Sequence, residues 1–475
     1  MRNFIFTSKS QLLTVCIVGL LIINSGVFAR PDSYTDIEIP EIRWEPAEYR
    51  EFELKNGIAG LVVEDNEVPL VYFDISFPAY PDPEDKVGLA DLTSWVLRNG
   101  GSTNIPSDSL NDILEFKAAY LSVYADQEQF GFAGYGHKDD VELLLSLVRD
   151  LIEKPAFPDQ IISIKKGDML EQIRRRYDSP QGIGYRELNK LLYPKHPWGR
   201  ETSVESVSSV TRDDLLSYHQ KVLQAEGVVI GFSGDISLKT AKKLSDKYLK
   251  NLKKNKSGAP GLPPVLPSAQ PGIYYVYKDV EQAFILMGEQ AIDYSDPRRP
   301  ISEIGNYILG GGGFQSILMK RIRNQEGLTY GIGSRMSTPV MGKGSFRIMA
   351  STRLDQSGRT LALTDELLRK YLNDGPGEEE FNNAKQAFVN SYVWDFDDSA
   401  KILNRLVYLK WCGLPLDMPQ RDLQAYQEMT AEQLRQVMSE IIDPDKMIVV
   451  IVGDRSKMDR PLEDFGTVYE IKIDN

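Results

Sequence analysis

The chain has 475 residues, longer than one ordinary domain. With 42% hydrophobic and 26% charged residues it can bury sizeable cores, which excludes disorder along its length. A net charge of −13 argues against nucleic acid as a partner, and two cysteines cannot build a disulfide framework or a thiolate metal cluster.

Residues 1–29 read as a secretory signal. Arg2 and Lys9 form a positive start, Leu12 to Ile23 is apolar apart from Thr14 and Gly19, and Val27-Phe28-Ala29 offers small residues for cleavage. The apolar run falls short of the roughly 20 residues that span a bilayer, so cleavage is favoured over a permanent membrane anchor. The expectation is an exported chain, periplasmic or extracellular, that keeps Cys412 and loses Cys16.

The remainder is expected to be α+β and duplicated, with a first domain over 30–252, a linker over 253–271 and a second domain over 272–475. In the first domain Asn56-Gly57 is a tight-turn signal, and Phe52 to Val63 with Val68 to Phe77 read as a hairpin-like pair of strands. Val141 to Ile152 carries a helical stripe of Val141, Leu144, Leu145, Val148 and Ile152. Thr211 then caps a helix that leads to the apolar strand Val228 to Phe232, closed by Gly234-Asp235. Pro260, Pro263, Pro264, Pro267 and Pro271 stiffen the connector.

The second domain repeats this plan. Ile273 to Tyr277 with Ala283 to Gly288 read as its pair of strands, and a helix after them ends in Gly310 to Gly313. Leu361, Leu368 and Leu372 mark a buried helical stripe. Thr430 with Gln433 forms a capping box, followed by the strand Met447 to Val452 and Gly453-Asp454. Thr430 to Asp454 matches Thr211 to Asp235 at a constant offset of 219 without a gap, which is the mark of internal duplication. Glu378 to Glu380 and the group Asp395, Asp397 and Asp398 read as helix starts and solvated turns.

Three segments carry a resemblance. Gly88-Leu-Ala-Asp91-Leu-Thr-Ser94-Trp95 opens a helix, His196-Pro-Trp-Gly-Arg200 forms a turn, and Leu309-Gly-Gly-Gly-Gly-Phe-Gln-Ser316 leads to Arg323, Gly327 and Tyr330. With the duplication, these resemble the pitrilysin and mitochondrial-processing-peptidase family of zinc metallopeptidases, the inverzincins with a His-x-x-Glu-His motif. The resemblance implies two homologous sandwich domains, each a largely antiparallel sheet packed by helices.

It also implies where a zinc site would be. In such proteins two histidines one helical turn apart bind zinc, the glutamate between them activates water, and a distant glutamate completes the shell. The matching positions hold Asp91, Ser94 and Trp95, and the residue 77 positions after Trp95 is Gln172, beside Glu171. An indole cannot bind zinc and serine is no general base near neutral pH, so no metal of its own is expected. A cation on Asp91 or Glu171 has no positive support. His137, His196 and His219 are too far apart in sequence to form a local zincin motif, and His196 reads as a structural turn residue.

What the first half lacks, the second half keeps. Gly327 is placed to cap the helix carrying Arg323, with Tyr330 on the strand that follows. The resemblance implies that Arg323 and Tyr330 act in trans, holding a substrate carbonyl or the oxyanion of the tetrahedral intermediate at a zinc site elsewhere. Gly310, Gly311, Gly312 and Gly313 with Phe314 fit the glycine-rich, peptide-binding loop of the family's non-catalytic subunits; a plain helix C-terminal turn is the other reading. The implied partners are a homologous zinc-bearing peptidase chain and an unfolded peptide. A catalytically inactive peptide-binding or scaffold protein of the same fold is the alternative.

Overall fold

The computed structural model describes residues 48–254 and 261–473. The signal over 1–29 and residues 255–260 of the proline-rich connector lie outside the described residues. Among the described residues no helix is long and apolar enough to cross a membrane.

Twelve strands form two six-stranded sheets among the described residues. The first contains β1 (Arg50–Glu53), β2 (Ala59–Glu64), β3 (Leu70–Pro78), β4 (Tyr120–Ala125), β5 (Gln129–His137) and β6 (Val229–Gly234), in the order β1-β2-β6-β3-β5-β4. The second contains β7 (Gly272–Tyr277), β8 (Gln282–Gln290), β9 (Thr329–Ser337), β10 (Ser345–Arg353), β11 (Ile448–Gly453) and β12 (Val468–Ile471), in the order β12-β7-β11-β8-β10-β9. Five positions correspond strand for strand, and the sixth differs. One sheet takes its outer strand from the start of its half, antiparallel, and the other from the end of the chain, parallel.

This corrects the expected pairing of neighbouring strands. Asn56-Gly57 does turn the chain, but between β1 and β2, with Gly57 N–H donating to the Leu54 carbonyl at 2.9 Å. β2 and β3 are not a hairpin, because β6 lies between them, parallel to β2 and antiparallel to β3. β11 separates β7 from β8 in the same way. The physical reason is burial: all six residues of β6 and of β11 are buried, and only an interior strand is covered on both faces.

The helices fulfil the expected stripes. Val141–Glu153 buries Val141, Leu144, Leu145 and Val148, and Ser357–Asp374 buries Leu361, Leu368 and Leu372. Thr211 and Thr430 both close capping boxes. The first half has its own core around Phe73, Ile75, Phe132, Phe232, Leu92 and Val148.

Two helices cross over to the other half. Pro180–Leu192 packs Ile183, Leu188 and Leu192 against Val276, Phe284, Leu286 and Val450 of the second sheet. Ser399–Trp411 packs Leu403, Leu406 and Val407 against Leu61, Val63 and Val229 of the first. Glycine makes each approach close. A Cβ on Gly184 would lie 2.7 Å from Phe284, and one on Gly231 would lie 2.3 Å from Val407 and 2.6 Å from Leu403. Gly231→Val is therefore expected to lift the Ser399–Trp411 helix off its sheet and cost about 2 kcal/mol by overpacking. Urea denaturation checks this, since an unchanged midpoint would mean that the helix yields freely.

Candidate functional site

The Arg299–Asn306 helix runs on through a widened turn, Tyr307–Gly311, where Gly312 N–H donates to the Tyr307 carbonyl at 2.7 Å. The glycine run has packing reasons of its own. A Cβ on Gly310 would lie 2.4 Å from the Ser334 backbone nitrogen on β9, and one on Gly312 would lie 2.8 Å from the Tyr307 carbonyl. Gly311 is closed by Asn306 Nδ2 at 2.7 Å. Only Gly313, at φ 60°, faces open space, and it turns the chain so that Phe314 projects outward.

The chain then re-enters a helix, Met319–Gln325, which ends at Gly327 with φ 64°. Gly327 N–H donates to the Arg323 carbonyl at 3.1 Å and Leu328 N–H to the Ile322 carbonyl at 3.0 Å, a glycine C-terminal closure of the expected kind. β9 follows immediately, and its register against β10 slips so that Thr329 pairs with Thr352 and Gly331 with Ser351. Tyr330 is thus the extra residue of a β-bulge, a device that re-aims a side chain. The Thr329 hydroxyl pins the bulge through the Ser351 and Gly331 backbone.

These turns bring three sequence-singled residues together. The Arg323 guanidinium carbon lies 4.7 Å from the centre of the Phe314 ring and 5.4 Å from that of Tyr330. Phe314 is 61% exposed and Tyr330 85%, so this aromatic–cation cluster is displayed rather than packed away. Stacking fixes the plane of the guanidinium without consuming its N–H donors. Such a cluster can hold a carbonyl or carboxylate against an aromatic platform.

The other candidate positions lie on two packed helices of the first half. Leu89–Gly100 carries Asp91, Ser94 and Trp95, and Asp159–Arg174 carries Gln172. The Asp82 carboxylate fastens the first of these helices at its start, accepting from Gly88 N–H at 2.7 Å and Ala90 N–H at 2.9 Å. Ser94 is buried and its hydroxyl bonds back to the Asp91 carbonyl at 3.1 Å. Gln172 is exposed, and Glu171 faces Arg174 at 3.3 Å.

A residue that the sequence reading passed over joins Asp91 and Trp95. Lys165 places its ammonium 2.9 Å from the Asp91 carboxylate and 5.8 Å from the centre of the Trp95 ring. Its position was open to inference, because it lies seven residues before Gln172 and so on the same helical face. These side chains do not fit a zinc ion. Asp91 is the only ligand type among Asp91, Ser94 and Trp95, and a lysine ammonium already neutralises it.

The histidines are engaged elsewhere. His196 Nε2 lies 3.0 Å from the Pro263 carbonyl, and its Nδ1 accepts from Trp198 N–H at 3.2 Å, so it ties the turn to the connector. His219 lies against the Leu151 carbonyl at 3.1 Å, and burial pushes it down to about 4. His137 is half exposed at the end of β5 and accepts from Asp139 N–H. Among the described residues no group of three histidines, cysteines or carboxylates could hold a metal ion.

Residues 209–388 match the family model described as "Peptidase M16 inactive domain". The crystal structure of a peptidase M16 inactive domain from Pseudomonas fluorescens is 28% identical with a TM-score of 0.78, covering 86% of this chain and 98% of that one. Residues 209–388 thus match an M16 domain of the inactive type, and the chain over most of its length is similar to M16 proteins. Among relatives, a Helicobacter pylori protein named non-peptidase homolog YmxG is 23% identical over 412 residues, 85% of this chain and 94% of its own. An uncharacterized zinc protease of Mycobacterium leprae is 23% identical over 365 residues, 75% of this chain and 80% of its own. The periplasmic protease PqqL of Escherichia coli shares the fold with a TM-score of 0.76 at 15% identity; this chain spans 51% of its length. The M16 resemblance drawn from the three motifs and the duplication is thus shown, and with it the mixed fold of two helix-packed sheets.

Proposed function

We propose that this chain is an exported, non-catalytic subunit that holds unfolded peptide for a homologous zinc-bearing peptidase chain. The observation that carries the reading is the displayed Phe314–Arg323–Tyr330 cluster in a chain whose Asp91, Ser94 and Trp95 do not suit zinc. Arg323 and Tyr330 would act in trans, as donors to the substrate carbonyl or to the oxyanion formed from it. Gly313 and Phe314 would supply the edge on which the peptide lies. Zinc would come with the partner.

Such a subunit should bind peptide without any metal. A fluorescently labelled unfolded peptide titrated with the mature chain is expected to gain anisotropy, and a chelator should leave the curve unchanged. A chelator-sensitive curve, or none, contradicts the reading. A second reading, a scaffold with no peptidase in its complex, is in keeping with the Helicobacter relative's being named a non-peptidase homolog. Replacing Arg323 and Tyr330 would then leave all function intact.

A further inference from the structure

Arg335 on β9 and Arg347 on β10 are direct cross-strand partners. Like charges in that relation repel, and such a pair calls for an anion between or beside the two heads. Among the described residues the protein supplies none. Arg347 is held by neutral acceptors, donating to Asn189 Oδ1 at 2.7 Å and to Ser345 Oγ at 2.9 Å. Neither arginine has an ion pair among the described residues.

Both line a cavity of about 360 Å3 between the crossed-over Pro180–Leu192 helix and the face of the second sheet. No carboxylate is among its lining residues, while Tyr185, Tyr193, Trp198 and Met349 give it an apolar and aromatic wall. Burial pushes the Arg347 guanidinium below its ordinary value, and repulsion from Arg335 adds to this. A volume toward the lower end of the roughly 300–1,000 Å3 of small-ligand sites, with a few convergent polar groups, suits a small molecule rather than a protein segment.

We propose that this cavity binds a small ligand through a carboxylate or phosphoryl oxyanion, gripped by Arg335 and Arg347, with its apolar body against the aromatic wall. Two guanidinium forks on one sheet face match the planar or tetrahedral oxygens of either group. The site lies apart from the Phe314–Arg323–Tyr330 cluster and does not depend on the peptide-holding reading.

Calorimetric titration of the mature chain with three probes tests it: a dipeptide with a free C-terminus, the same dipeptide amidated, and inorganic phosphate. Binding of the free dipeptide but not of its amide assigns the site to carboxylates, and binding of phosphate alone assigns it to phosphoryl groups. In either case Arg335→Gln, at an exposed position where folding is not at stake, is expected to weaken binding by about tenfold or more. Arg347→Lys, which keeps the charge and loses the fork, should weaken it as well. Absence of binding by all three probes overturns the proposal, as does equal binding by the amide or undiminished binding by Arg335→Gln.

Discussion

If the proposed complex with a zinc-bearing partner forms, Arg323→Ala in it is expected to lower cleavage of an unfolded peptide by roughly 10²-fold, with the loss mainly in kcat. The reasoning starts from what Arg323 does in this chain alone. It stacks on Phe314 and Tyr330, both exposed, and its removal opens no cavity in a core. The variant should therefore fold and assemble normally, and a fall in rate would report on substrate rather than on stability. Tyr330→Phe sharpens the test, because it keeps the ring under the guanidinium and deletes only the hydroxyl donor. Steady-state kinetics on the two variants checks both, and wild-type rates would remove Arg323 and Tyr330 from the chemistry.

Glu289→Gln is expected to stabilise the chain by up to about 5 kcal/mol above pH 8 and to leave it nearly unchanged at pH 4. Glu289 lies buried on β8, where its carboxylate accepts from Asp443 N–H at 2.8 Å. Burial pushes its carboxyl up to about 8, from an ordinary 4.5. The folded chain then keeps this proton while the unfolded chain loses it, so rising pH between 4.5 and 8 favours unfolding. Below that window both states are protonated and the site contributes no slope. Glutamine keeps the acceptor for Asp443 and has no charge to desolvate. Denaturant midpoints for both chains from pH 4 to pH 9 check this, and parallel profiles would mean that Glu289 is ionised in the folded state.

Much of the fold could be read from the sequence because its signals are local. The Thr211 and Thr430 caps, the 219-residue offset and the stripes of Val141 to Ile152 and Leu361 to Leu372 each depend on residues a few positions apart. Strand order was not legible in the same way. An unbroken apolar run such as Ile448 to Val452 announces burial on both faces, yet it does not say between which strands it lies. The crossing of Pro180–Leu192 and Ser399–Trp411 was hidden for a related reason, since a stripe shows that a helix is covered and not by what.

The candidate site divides along the same line. Arg323, Gly327 and Tyr330 are close in sequence, so their shared turn followed from a glycine cap, although the bulge that turns Tyr330 outward did not. Lys165 could be placed on the face of Gln172 from their spacing, but its reach to Asp91 across 74 positions follows only from helix packing. Arg335 and Arg347 meet only through strand register.

The most direct test of the central claim is to recover the tagged chain from its native host under mild conditions and measure what comes with it, its zinc content and its cleavage of unfolded peptides. The expected result is a stoichiometric partner with an intact His-x-x-Glu-His motif, zinc accounted for by that partner, and cleavage that requires both chains. A chain recovered alone or paired with itself, without zinc or cleavage, would contradict the subunit reading and leave a scaffold of the M16 fold.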